Sequence, residues 1–244
     1  IMNYKLYILH GWTYSTDKWT PFVNLLKQKR FEVSILKITG LTEKLNKVWD
    51  INDYVEWLNT QINKNKVILI GHSNGGRIAL NFAIKYPQNI EKLILMDSAG
   101  IFHNDLAIRA KRMLFKSISK VGKKLTSSQR LKNILYKIVG ESDYKNANPI
   151  MKQTMINLIN SDKGLNLSKV NVPTFIIWGR EDKTTPLSDG KLMNKLIKNS
   201  KLYVVDNAKH SPQFTHTEEV VQIILEELKI QNAKVNPRSS RGQK

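Results

Sequence analysis

The sequence predicts an α/β domain, a mainly parallel sheet flanked by helices and carrying a helical insertion. Three observations predict it. Short β-branched and apolar runs alternate with longer segments of helical period along most of the 244 residues. A Gly-x-Ser-x-Gly turn, Gly71-His72-Ser73-Asn74-Gly75, stands where one apolar run hands over to a helical segment. From Ile101 to Ser168 the alternation stops, and only helical segments can be read.

The strand candidates come first. Lys5–Leu9, Val33–Ile38, Val67–Ile70, Leu93–Met96, Thr174–Trp178 and Leu202–Val205 are short, apolar and rich in β-branched residues. Between them Lys18–Lys29, Ile51–Ile62, Asn74–Tyr86 and Leu187–Ile197 repeat apolar residues at spacings of three and four, as does a closing helix at Glu218–Lys229. Right-handed crossovers place such helices on both faces of the sheet. The insertion contains the helical segments Leu106–Ser119, Gln129–Val139 and Pro149–Ile159. The expected organisation is therefore a core at residues 1–100 and 169–230, a helical cap at 101–168, and a basic flexible tail at 231–244.

Composition narrows the class. Hydrophobic residues make up 41% and charged residues 24%, which is the balance of a folded domain rather than a disordered chain. There is no cysteine, so disulfides, thiolate nucleophiles and thiolate metal sites are excluded. No stretch reaches the roughly 18 apolar residues of a membrane span. Tyr4–Leu9 reads as a strand and not as a signal peptide, which gives a soluble, cytoplasmic protein as the expectation. The net charge of +19 is concentrated in the insertion, with 13 Lys+Arg against 4 Asp+Glu, and in a tail segment, Lys229–Lys244, that has no acid. Arg109, Lys111 and Arg112 cluster in one short stretch of it. Basic and aromatic residues do not interleave as they do where bases stack, so nucleic acid is not the expected partner and the charge reads as a solvated surface.

Chemistry enters at Ser73. In a strand-to-helix turn its hydroxyl is held above the sheet beside the positive end of the following helix. Glycines two positions away on either side remove the Cβ atoms that would collide there. Serine needs a base. Of the five histidines, His10 and His72 sit inside motif loops and brace backbone, His103 lies at the entrance to the insertion, and His216 begins the last helix. His210 follows the strand Leu202–Val205 by a short loop, at the sheet edge where Ser73 also stands. The carboxylate that orients it is Asp182, directly after the strand Thr174–Trp178, with Asp97 at the end of Leu93–Met96 as its rival. An oxyanion needs donors. The amide of Asn74 supplies one and that of Trp12, after the turn glycine Gly11, the other. Phe102, His103 and Phe214 are candidates to line the substrate site.

His10-Gly11-Trp12, Gly71-His72-Ser73-Asn74-Gly75-Gly76, Gly179-Arg180-Glu181-Asp182 and Lys209-His210-Ser211-Pro212 together resemble the α/β-hydrolase superfamily. The serine–acid–histidine order is that superfamily's order. Within it the pattern is similar to the capped branch of small-molecule carboxylesterases, lactonases and carbon–carbon bond hydrolases, over roughly residues 4–228. Two positions depart from the family's habit: Lys209 replaces a glycine before the histidine, and Gln213-Phe214 replaces an acidic residue after it. Relatives with aspartate at the elbow, the haloalkane dehalogenases and epoxide hydrolases, are set aside by Ser73. Haloperoxidase-like, hydroxynitrile lyase-like and acyltransferase-like members keep the serine. The resemblance implies an acyl-enzyme hydrolase of short- to medium-chain esters or lactones with no cofactor and no metal. The alternatives are carbon–carbon cleavage of anionic vinylogous ketoacids, and a non-catalytic binding protein on the same scaffold. Oligomeric state has no signal in the sequence.

Overall fold

The computed structural model describes residues 5–62, 66–103 and 148–234. Six strands form one fully parallel sheet in the order β2-β1-β3-β4-β5-β6. They are β1 (Lys5–Leu9), β2 (Glu32–Ile35), β3 (Val67–His72), β4 (Ile90–Met96), β5 (Thr174–Gly179) and β6 (Ser200–Val205). Chain order reverses direction across the sheet beside β1 and β3, and in such sheets the functional crevice lies at the carboxyl ends of the strands.

Strands buried on both faces need apolar residues at successive positions, which is why β3 reads as an unbroken apolar run. Its Ile68 and Ile70 join one buried cluster and its Val67 and Leu69 the other. On the first side lie α1 (Thr20–Gln28) and a long closing helix, α7 (Thr217–Lys234), through Phe22, Leu26, Val220 and Ile224. On the second side lie α2 (Ile51–Gln61), α3 (Asn74–Lys85), α4 (Pro149–Ser161) and α5 (Leu187–Leu196), through Tyr54, Leu58, Ile78, Phe82, Leu158 and Met193. A single turn, α6 (Pro212–Thr215), precedes α7.

Local chemistry sets the helix starts. Asp50 caps α2, accepting from the amides of Asn52 and Asp53, while Asp53 accepts from the Asp50 amide in return. Asn148 caps α4 by accepting from the Met151 amide at 2.8 Å, with Pro149 in the first turn. Met151, Met155 and Leu158 then fall on one stripe and enter the core of the second face. Burial of each contributes about 1.5–3 kcal/mol. Thr154 and Asn157 on the same helix bond the amide and carbonyl of Trp49 at 3.1 Å each.

All six expected strands and their parallel arrangement are present, and the flanking helices fall where periodicity places them. Two bounds differ. β2 stops at Ile35, although the apolar run goes on to Ile38. Leu36 still donates to the Ile8 carbonyl, but the chain then leaves the sheet and turns at Gly40, while Leu36 and Ile38 stay buried. The closing helix continues to Lys234, four residues into the segment read as tail. Leu106–Ser119, Gln129–Val139 and the basic stretch Arg109–Arg112 lie outside the described residues, as do residues 235–244. Among the described residues no helix is long and apolar enough to cross a membrane.

Candidate active site

Ser73 joins the end of β3 to α3 with φ +52° and ψ −121°, a conformation that costs a non-glycine residue about 1–3 kcal/mol. The surroundings enforce it. The Ser73 amide donates to the Met96 carbonyl at 3.1 Å, continuing the β3–β4 pairing, and its carbonyl accepts from Gly76 and Ala99 at 3.0 Å each. A Cβ at Gly75 would lie 2.1 Å from the Leu9 carbonyl oxygen, so only glycine lets α3 start this close to β1.

The structure brings Ser73, His210 and Asp182 together. His210 Nε2 lies 3.0 Å from Ser73 Oγ, and His210 Nδ1 lies 2.8 Å from Asp182 Oδ2. A carboxylate only accepts, so Nδ1 carries the proton and Nε2 is the acceptor facing the serine hydroxyl. The Asp182 side chain is fully buried and that of His210 is a quarter exposed. Asp182 Oδ1 accepts the amides of Thr184 and Thr185 at 2.7 and 3.1 Å, and Oδ2 also accepts the Thr185 hydroxyl at 2.7 Å. Burial pushes the Asp182 carboxyl up, but the bonds from His210, Thr185 and Thr184 together with the imidazole's charge outweigh it and hold the group below the usual carboxylate range. The acid loop and the histidine loop touch backbone to backbone, since a Cβ at Gly179 would sit 2.3 Å from the Lys209 carbonyl oxygen.

Gly11 approaches the serine directly, and a Cβ there would be 3.0 Å from Ser73 Cβ. The amides of Trp12 and Asn74 donate to no acceptor among the described residues. His10 is fully buried, donates from Nδ1 to the Gly11 carbonyl at 2.8 Å, and is held below its ordinary pKa by that burial. His72 donates from Nε2 to the His210 carbonyl at 2.8 Å, and burial, then the neighbouring His210, lower its pKa to about 3. Both therefore brace loops as neutral imidazoles. Phe214 packs edge-on against Trp19 at 5.1 Å and lies 6.3 Å from the His72 ring. His103 pairs with the buried Asp189 of α5 at 2.8 Å, and the Lys163 ammonium stands 5.6 Å over the Phe102 ring. Neither of those two residues bonds Ser73, His210 or Asp182.

Asp97 is close to the group but does not take Asp182's place. It is fully buried at φ +40°, its Oδ1 accepts the Gly179 amide at 2.9 Å, and its Oδ2 has no partner. Burial raises its pKa to about 8, with the adjacent Asp182 adding to the rise. One ligating atom from each of His72, Asp97 and His210 lies within 4.8 Å of the other two, a spacing compatible with a metal ion. However, both His210 nitrogens and His72 Nε2 are already engaged in the bonds just described. That donor set fits a hydrogen-bonded relay better than a metal centre.

Sequence reasoning missed two features. Thr185 completes the acid's shell, and the run Asp182-Lys183-Thr184-Thr185-Pro186 carried a turn signal for it. The second is a buried ion pair beside Ser73. Arg77 of α3 donates from Nε and Nη2 to Asp162 at 2.7 and 2.9 Å, and from Nη1 to Asn74 Oδ1 at 2.6 Å. Residues 85 positions apart leave no mutual trace in a sequence.

A serine hydroxyl on an imidazole that is itself held by a buried carboxylate, at the carboxyl edge of a parallel α/β sheet, is an arrangement found among hydrolases. The chain belongs to the alpha/beta hydrolase fold family, whose model matches residues 4–130 and 122–217. It is similar to the pimeloyl-[acyl-carrier protein] methyl ester esterase of Legionella pneumophila, 26% identical over 237 residues that cover 92% of this chain and 95% of that one. It is also 27% identical to 2-hydroxy-6-oxo-6-phenylhexa-2,4-dienoate hydrolase of Comamonas testosteroni over 178 residues, 66% of this chain and 62% of that one. Among solved structures, MenH from S. aureus superposes with a TM-score of 0.71 at 22% identity, covering 95% of this chain and 96% of that one.

Proposed function

We propose that this protein hydrolyses short- to medium-chain carboxylic esters or lactones through an acyl-enzyme on Ser73, as a cytoplasmic enzyme for small-molecule substrates. The observation that carries the reading is the continuous path from Ser73 Oγ through His210 to Asp182, at 3.0 and 2.8 Å. His210 Nε2 takes the hydroxyl proton as Oγ bonds to the substrate carbonyl carbon, and the carbonyl oxygen becomes an oxyanion facing the Trp12 and Asn74 amides. Collapse of that intermediate breaks the ester C–O bond, and the proton on Nε2 goes to the leaving alcohol. Water then repeats the sequence on the acyl-enzyme, releasing the acid and restoring Ser73. In this reading the insertion at residues 101–168, whose α4 packs into the core of the second face, contributes the cap that selects the acyl group, with Gly11, Phe102, His103 and Phe214 as candidate lining residues, and Asp182 stabilises the imidazolium without accepting its proton.

The test is a panel of nitrophenyl esters from two to sixteen carbons together with several lactones. Ser73→Ala should lower kcat on the best substrate by roughly a million-fold. Retention of turnover by the variant would sink the mechanism. A second reading, hydrolysis of a carbon–carbon bond in a vinylogous ketoacid, is favoured by the similarity to the dienoate hydrolase. Turnover of a dienoate ketoacid, with none on any ester or lactone, would move the assignment there.

A further inference from the structure

A second carboxyl, that of Asp97, faces the same imidazole as Asp182 and has no place in the reaction written above. It leaves β4 as Asp182 leaves β5, on neighbouring strands of the sheet. The groups around it are few. Asp182 comes from the loop after β5, His210 from the loop after β6 and His72 from the end of β3, with both rings offering a nitrogen within 4.8 Å of an Asp97 oxygen. The uncharged neighbours are the Gly179 amide on Oδ1 and the Thr185 hydroxyl, which lies 3.1 Å from the Asp97 carbonyl and 2.7 Å from Asp182 Oδ2. No cation among the described residues bonds Asp97, and Oδ2 is left without a partner in a fully buried position.

An ionised carboxylate in that setting is costly, because desolvation is uncompensated and a second carboxylate adjoins it. As two anions, Asp97 and Asp182 have no hydrogen bond to make. One proton changes this: a carboxylic acid donates one bond, and the Asp182 carboxylate within hydrogen-bonding reach accepts it. Asp182 loses a proton easily because three donors and an imidazole already serve it, so the shared proton resides on Asp97.

We propose that Asp97 is a positioning residue, which holds a proton on Oδ2 and donates it to the Asp182 carboxylate, so that the relay has four members, Asp97, Asp182, His210 and Ser73. The bond holds the Asp182 carboxylate against His210 Nδ1, and the Thr185 hydroxyl turns to the Asp97 carbonyl 3.1 Å away, so that Asp182 still accepts four bonds. It also draws negative charge away from the imidazole, which moderates the basicity of Nε2. No bond to substrate is involved. Ionisation of Asp97 at about pH 8 removes the donated bond and sets a second negative charge beside the first. The rate consequences rest on the ester-hydrolase reading, whereas the proton itself does not.

Two measurements on the full chain test this. Difference infrared spectroscopy of wild type against D97N should show, at pH 6, the carbonyl stretch of one protonated carboxylic acid, fading as pH passes about 8. Asparagine tolerates φ +40° and its amide can donate in the proton's place, so D97N should keep most of its kcat and lack the rate change expected of wild type near pH 8. D97A, with no donor, should lose about a hundredfold in kcat with KM little changed. Should D97A fail to fold, the D97N pair of readouts decides alone. Absence of the acid band, or a D97N pH profile that overlays wild type, overturns the proposal. A protein with no esterase activity in any form, but with the band present and lost in D97N, refutes the ester reading and leaves the shared proton standing.

Discussion

Two buried polar clusters flank Ser73, and they are built on opposite terms. On the α4 side, Arg77 and Asp162 meet as a permanent cation and anion, two bonds deep, with a third bond to Asn74. On the β5 side, Asp97, Asp182, His72 and His210 contain no permanent cation at all, and one carboxyl oxygen has no partner. The first cluster pairs both of its charges, leaving only the neutral Asn74 Nδ2 without a partner among the described residues, so it holds the start of α3 in place. The second keeps two carboxyls and two imidazoles in contact, so its bonding depends on where the protons are. Charge that cannot move suits a scaffold, and protons that can move suit a reaction.

Removing the acid breaks the comparison most sharply. Asp182→Asn should reduce turnover by about 10⁴-fold through the wrong imidazole tautomer, with little change in the unfolding midpoint. Steady-state rates beside thermal melts check both halves. Arg77→Met should do the reverse, costing about 3–5 kcal/mol of stability by leaving Asp162 buried and unpaired. Urea unfolding measures it, and pairing Arg77→Met with Asp162→Leu should recover much of the loss. If instead Arg77→Met cut turnover per folded molecule as deeply as Asp182→Asn, the division between the two clusters would collapse. The smallest expected effect lies in the pH dependence of stability. His72 has its pKa lowered to about 3, so its neutral burial stabilises fully above the ordinary imidazole value and is lost as pH falls through that value toward 3. Asp97 is raised to about 8, so its contribution is fully present below the ordinary carboxylate value and is lost as pH rises toward 8. Thermal midpoints between about pH 4 and pH 9 should therefore lose their acid-side slope in His72→Asn and gain stability near neutrality in D97N.

Much of this was legible in the sequence. Parallel strands buried on both faces have to be apolar throughout, so β3, β4 and β5 announce themselves, and the elbow fixes which strand carries Ser73. The bounds that shifted did so because burial and pairing are different constraints: Ile38 is buried after its backbone has left the sheet, so the hydrophobic run outlasts β2. The turn that follows α1 is made at an arginine, Arg30, with φ +67°, where no glycine marks it. In the site, Ser73, His210 and Asp182 are each tied to a local pattern, a turn or a strand end. Arg77 is not. On a helix it reads as a solvated face, and only the fold reveals that Asp162 comes to meet it. Asp97 could be seen as a rival to Asp182, but a partnership between the two needed their strands to be placed side by side.

The stretch between residues 103 and 148 leaves the core beside one fastened pair, His103 with Asp189, and the chain regains it through the helix whose end holds another, Asp162 with Arg77. Each clasp joins a flank of that stretch to a helix of the sheet. The two anchors therefore lie on different helices of one sheet layer, α5 and α3, so the points where the described chain breaks off and resumes are each fixed by a charged side chain rather than by apolar packing alone.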